Sequence, residues 1–265
     1  HMELRNGDRA ALSKPLALRA GGTVSLEVAA LRRDGFDGPI ELEARGLPEG
    51  VTATGLRIPA GQSRGQILLT AADAPARGMA AVTLVGRGAA GDTAIERPCR
   101  LAGQCWPVRD GWSEIPFPRL LADVVVSVGG VEGAPLTLRT TGAGRAAGAA
   151  LEAVEGGALE VPLELVKREE VQGGTFQMRV VGPGFDQAPG FELDVAAPKP
   201  LALDLAKLKI PPGDHAFALV ASAVTKHAPA PAPGQAAAGV TDIAEILIST
   251  PIHVRVAPAP KEPAP

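Results

Sequence analysis

Thr23-Val24-Ser25-Leu26-Glu27-Val28, the turn Arg33-Asp34-Gly35-Phe36-Asp37-Gly38-Pro39, and Ile40-Glu41-Leu42-Glu43-Ala44 decide the fold. In both flanking segments an apolar residue alternates with a polar one, the period-two pattern of a half-buried strand. The segment between them holds two Asp-Gly steps, which supply the backbone freedom of a tight turn. The same grammar continues downstream. Gly46-Leu47-Pro48-Glu49-Gly50-Val51 turns into a short strand, and Ile58-Pro59-Ala60-Gly61-Gln62 turns again. Gly65-Gln66-Ile67-Leu68-Leu69-Thr70, Ala80 to Gly86 and Thr93 to Arg97 read as further strands. About seven short strands in about 90 residues is the signature expected of an immunoglobulin-like sandwich.

Composition agrees. Among 265 residues there are 32 Gly and 25 Pro, far too many for a helical bundle. With 26 Lys+Arg against 29 Asp+Glu, the chain lacks the basic excess of a nucleic-acid binder. Aromatic residues make up 3%, with no Tyr, so stacking platforms have little material. No apolar run approaches the ~18 residues that span a bilayer. His1-Met2 reads as a cloning scar and the Pro-rich tail 258–265 as a semi-rigid extended linker, so a piece of a longer protein is expected.

The second half repeats the plan. Gly157-Ala158-Leu159-Glu160-Val161-Pro162-Leu163-Glu164-Leu165 stands where Gly22 to Val28 stood, and Ile210 to Val220 parallels Ala74 to Val85. The expectation is therefore all-β, two tandem immunoglobulin-like antiparallel β-sandwiches. The first is placed at residues 3–104 and a Trp-containing connector at 105–119. The second is placed at 120–257, with a mobile Pro/Ala-rich loop at 228–239.

The phrase Asp34-Gly35-Phe36-Asp37-Gly38-Pro39-Ile40-Glu41-Leu42, followed by Gly46-Leu47-Pro48-Glu49-Gly50-Val51 and Ile58-Pro59-Ala60-Gly61-Gln62, resembles a known group of domains. These are the immunoglobulin-like domains of large exported proteins of planctomycete-type bacteria, often found near subtilase-associated or pre-peptidase C-terminal domains. The resemblance covers roughly residues 20 to 130 and is schematic beyond. It implies an extracytoplasmic location (secreted, periplasmic or cell-surface) and a non-catalytic role, with no active-site residues and no cofactor. The expected function is a spacer or adhesion-type interaction module with protein or cell-envelope polysaccharide as partner. The alternative is a carbohydrate-binding accessory module of a secreted hydrolase.

Few motifs compete with this reading. Gly61-Gln62-Ser63-Arg64-Gly65 matches the serine-hydrolase pattern, but a strand rather than a helix follows it, so it reads as a hairpin turn. Gly142-Ala143-Gly144-Arg145-Ala146-Ala147-Gly148 misses the dinucleotide spacing by one residue. Asp34 and Asp37, with Glu41, are weak calcium candidates, since Asp-Gly steps serve a tight turn in any case. Cys99 and Cys105 either close a small disulfide loop or stay as two thiols, and they lack the further ligands of a zinc site. Trp106 and Trp112 are read first as filling a seam between the sandwiches; as the only tryptophans they are also the candidates for a recognition surface. His215 and His253 fall in alternating strands, half-exposed, and pair with no other ligand.

Overall fold

The computed structural model describes residues 2–3, 16–105, 117–141, 149–167, 170–172, 175–228 and 239–260. The chain is all-β, built mostly of antiparallel sheets, and divides into two units, His1–Gly133 and Ala134–Pro265.

In chain order the first unit holds β1 (Met2–Glu3), β2 (Leu16–Ala20), β3 (Thr23–Ala29), β4 (Glu41–Arg45), β5 (Val51–Leu56) and β6 (Arg64–Ala71). It continues with β7 (Gly78–Ala90), β8 (Thr93–Cys99), β9 (Leu101–Cys105), β10 (Phe117–Leu121) and β11 (Val124–Gly133). One sheet runs β10-β9-β1-β3-β6-β5 and the other β2-β11-β7-β4, with β8 beside β7. The alternation read in the sequence decides which face is inward. Leu26 and Val28 of β3, Ile67 and Leu69 of β6, Leu42 of β4 and Val82 and Leu84 of β7 meet in one core. Each such side chain taken out of water contributes about 1.5–3 kcal/mol, which fixes the register, because a one-residue slip would expose the whole set.

The long strand β7 organises its sheet. Along one edge it pairs with β4. Its other edge is covered twice, by β8 over residues 84–90 and by β11 over residues 78–82. Cys99 stands opposite Leu84 and Val124 opposite Val82, so the two segments occupy one strand position in succession. Between them the chain crosses to the other sheet, where β9 pairs with β10 and runs parallel to β1.

The second unit holds β12 (Leu136–Thr140), β13 (Leu151–Val154), β14 (Ala158–Val161), β15 (Leu163–Lys167), β16 (Glu170–Gln172), β17 (Thr175–Val181) and β18 (Phe191–Asp194). After it come β19 (Leu201–Asp204), the short helix α1 (Leu205–Leu208), β20 (Gly213–Ala228), β21 (Thr241–Ile248) and β22 (Ile252–Ala257). Its long strand is edged in the same way as β7. The long strand β20 pairs with β17, while β21 and then β22 share its other edge. In each unit an early strand runs parallel to the last one, β2 to β11 and β13 to β22. The core gathers around Phe176, Phe185 and Phe217, the last two stacked with ring centroids 4.5 Å apart.

β3 and β14 each pair antiparallel with the strand that precedes the long one (with α1 intervening in the second unit), and β7 and β20 are the long strands themselves. The domain boundary does not fall where expected. Residues 117–133, assigned in part to a connector and in part to the second sandwich, form β10 and β11 of the first unit, because Val124, Val126 and Val128 complete the β7 edge and its core. The division lies between Gly133 and Ala134. Most of the expected connector, the loop around 229–238 and the segment 142–148 lie outside the described residues.

Candidate functional site

One side of the first unit is closed by backbone contact between its sheets. Ile40 and Ile58 exchange N–H···O=C bonds, both 2.9 Å, and Gly55 of β5 lies directly on the backbone of Leu42. The unit opens between the end of β3 and β8 as a cleft of about 310 Å³.

Two inward positions of β7 that line the cleft carry no side chain. After Leu84, fully buried, the inward residues are Gly86 and Gly88, opposite Arg97 and Ile95 of β8. A Cβ on Gly88 would stand 2.8 Å from Cζ of Phe36, and one on Gly86 would stand 3.1 Å from Cγ2 of Ile40. Glycine inside a strand here marks the close approach of neighbouring groups. Ile40, Leu42 and Ile58 form the floor, Phe36 and Ile95 the walls. At the mouth stand Leu31, which is 63% exposed, and the arginines Arg97 and Arg100.

Phe36 is held there by Arg32. The guanidinium donates from Nη1 to the carbonyl of Gly38 (2.6 Å), from Nε to Gln62 (2.8 Å) and from Nη2 to Pro59 (2.9 Å). It also lies 5.5 Å from the centroid of the Phe36 ring. Three carbonyls of two turns share one fork of donors, so the 32–38 loop is tied to the 59–62 turn.

On the outer face of β4, β7 and β8 four side chains close a ring of ion pairs. Arg45 donates both Nη atoms to Glu96 (2.9 and 2.6 Å) and Nε to Glu43 (3.0 Å), while Arg87 reaches Glu96 (2.9 Å) and Glu43 (3.0 Å). Hydrogen bonds from Arg45 and then Arg87 hold the Glu96 carboxyl down at about 2. The Arg45 bond likewise lowers Glu43, and Arg45 itself is raised by Glu96 and Glu43. Val85, opposite both Glu43 and Pro98, is buried under this ring although it points away from the core.

Cys99 lies in the cleft wall as a free thiol, and burial pushes its pKa up. Cys105 ends β9 in the other sheet, opposite Phe117. Trp106 and Trp112 lie outside the described residues. Asp34 sits at positive φ (54°) in the turn, and Asp37 is exposed and faces Arg32 at 4.0 Å, a cation already in place beside it. No group of three or more His, Cys, Asp and Glu is gathered for a metal among the described residues. Ser63 precedes β6 in a strand-to-strand turn, where its carbonyl accepts from Ala30 N–H. His215 is half-buried on β20, bonded to the Pro211 carbonyl at 2.8 Å and edge-on to Phe185. His253 is half-buried on β22.

Sequence reading did not find the cleft. Its signal was Gly86-Arg87-Gly88, two glycines at strand period on one face, which reads as the end of a strand rather than as missing core. What the cleft offers chemically is apolar walls, a cationic mouth and a thiol held in its neutral form.

No family model matches the chain, and no curated protein or solved structure gave a match.

Proposed function

We propose that the chain is a structural and interaction module, two tandem immunoglobulin-like sandwiches within a larger exported bacterial protein, working outside the cytoplasm as a spacer or adhesion element. The observation that carries this reading is the repetition of one strand plan in two units with separate cores. In each, a long strand has one last-strand position filled by two segments, and an early strand runs parallel to the last. Tandem sandwiches of this kind offer loop tips and sheet faces to a partner without disturbing their cores.

Protease treatment of intact producing cells tests it. An antibody against this chain should lose its signal when protease is added outside, while a cytoplasmic marker survives. Protection that persists once the outer envelope is permeabilised, with loss only when the cytoplasm is opened, would overturn the proposal. The same cells, extracted for envelope proteins and polysaccharide, supply the partners to screen by retention on immobilised chain.

A further inference from the structure

We infer that the cleft of the first unit binds a single-chain amphiphile with a carboxylate head, a medium-chain fatty acid. This goes beyond the module reading and stands independently of it.

Size and lining select the tail. A volume of about 310 Å³ lies at the lower end of ligand pockets, enough for one alkyl chain. Its floor and walls are Ile40, Ile58, Phe36 and Ile95, with Phe36 and Ile40 packed against the two glycines of β7. An apolar chain buried there leaves water, which favours binding in proportion to the apolar area covered.

Charge selects the head. Three arginines border the cleft, and they differ in commitment. Arg87 is engaged by Glu43 and Glu96 on the outer face. Arg97 donates to the backbone carbonyl of Glu96 (2.9 Å), and neither it nor Arg100 has a carboxylate in ion-pair range among the described residues. A carboxylate at the mouth would lie within reach of both cations, and charge-assisted bonds to guanidinium are the strong ones.

The strand edge argues against the other class of occupant. Among the described residues β8 has one ladder partner, β7, so its outer edge lies next to the cleft. That edge carries Pro98, which has no N–H to give, together with Glu96 and Arg97. Proline and charge are the devices that blunt an edge against an added strand.

The test is titration of decanoate, below its micelle concentration, into the full chain. Calorimetry is combined with amide chemical shifts. Saturable one-to-one binding is expected, with shifts centred on Gly86, Gly88, Ile95 and Cys99. Decanol should bind about tenfold more weakly or worse, and so should decanoate to the Arg97→Glu/Arg100→Glu variant. Leu31→Glu, a change at an exposed mouth position, should weaken decanoate similarly and leave the melting curve unchanged. The inference fails if decanoate does not saturate, or if decanol binds as well. It fails if a normally folded charge-reversed variant binds unchanged, or if the shifts fall elsewhere. It fails also if an extended hexapeptide moves the β8 amides while decanoate is silent, for the cleft would then belong to a strand.

Discussion

A Cβ built on Gly55 would lie 1.9 Å from the carbonyl oxygen of Leu42. The two sheets of the first unit meet there backbone to backbone, next to the Ile40–Ile58 bridge, and the side chains of Ile40, Leu42 and Ile58 floor the cleft. Neither atom belongs to a flexible side chain, so the strands themselves must separate to admit a methyl group. Gly55→Ala is expected to cost about 3 kcal/mol or more in urea unfolding, at the upper end for overpacking. Gly78→Ala, where nothing lies within 4 Å, serves as the control and should stay within about 0.5 kcal/mol of the parent. A near-neutral Gly55→Ala would mean the seam is looser than described.

Arg32 is the second point at which a small change should matter. Its side chain is only 14% exposed, and its donors serve the carbonyls of Gly38, Gln62 and Pro59. Arg32→Ala should lower stability by about 2–4 kcal/mol, since bonds from a charged donor each contribute about 1.5–3 and are partly replaced by water. Arg32→Lys keeps the charge but cannot span three carbonyls, so it should recover less than half of the loss. Equal stability of Lys and Arg would show that charge alone holds the loops.

Both results bear on how far the sequence could be read. Alternation in residues 23–28, 40–44, 65–70 and 80–86 revealed the strands, because burial on one face writes a period of two into the chain. The strands of the second unit were legible for the same reason: Leu159 and Val161 alternate with polar residues and are buried, as are Leu26 and Val28. The unit boundary was not legible. Val124, Val126 and Val128 alternate identically whether they open a sandwich or finish one, and only their place beside Val82, Ala80 and Gly78 decides. Arg32 carried no signal in the sequence, since nothing local tells that its donors reach residues 59 and 62. The cleft was written as an absence, two glycines where the pattern calls for apolar side chains.

Cys99 should react slowly. Burial raises its pKa, so the thiolate, the reactive form, is scarcer at pH 8 than in a free cysteine. Iodoacetamide labelling followed by peptide mapping should show Cys99 modified several-fold more slowly in the native chain than in urea. Labelling at the rate of an exposed thiol would contradict the described wall of the cleft.

The ion-pair ring sets an acid limb. The Glu96 carboxyl titrates at about 2 when folded against an ordinary value of 4.5, because it accepts bonds from Arg45 and Arg87. A depressed folded value contributes stability that is fully present above 4.5 and is lost as pH falls through the folded value. The residues are exposed, so the contribution is small and screened by salt. Carboxyl carbon shifts of Glu96 should give a midpoint near 2 at low salt, rising as salt is added. Glu96→Gln should flatten stability between pH 4.5 and 2. A midpoint near 4.5 in low salt would mean the ring does not form.

The two units solve the same problem differently, and Ser249 is where the second one solves it. In both, the last-strand position along the long strand is broken; in the first unit β9 and β10, in the other sheet, come between its two segments, whereas the second breaks for only residues 249–251. Ser249 is fully buried, its N–H donates to the Leu219 carbonyl (2.9 Å) and its Oγ accepts from Leu219 N–H (2.9 Å), so one residue replaces the missing rung of the ladder. The next residue, Thr250, donates its N–H to the Leu138 carbonyl of β12 and ties the break to a second strand. Ser249→Ala keeps the backbone bond but leaves the Leu219 N–H buried without an acceptor, which costs about 1–3 kcal/mol. The loss should be local before it is global: the Leu219 amide should exchange about tenfold faster or more, while amides in the middle of β17 change only as overall stability changes. An unchanged Leu219 amide in Ser249→Ala would mean that another group takes over the rung and that the hydroxyl does not hold the break.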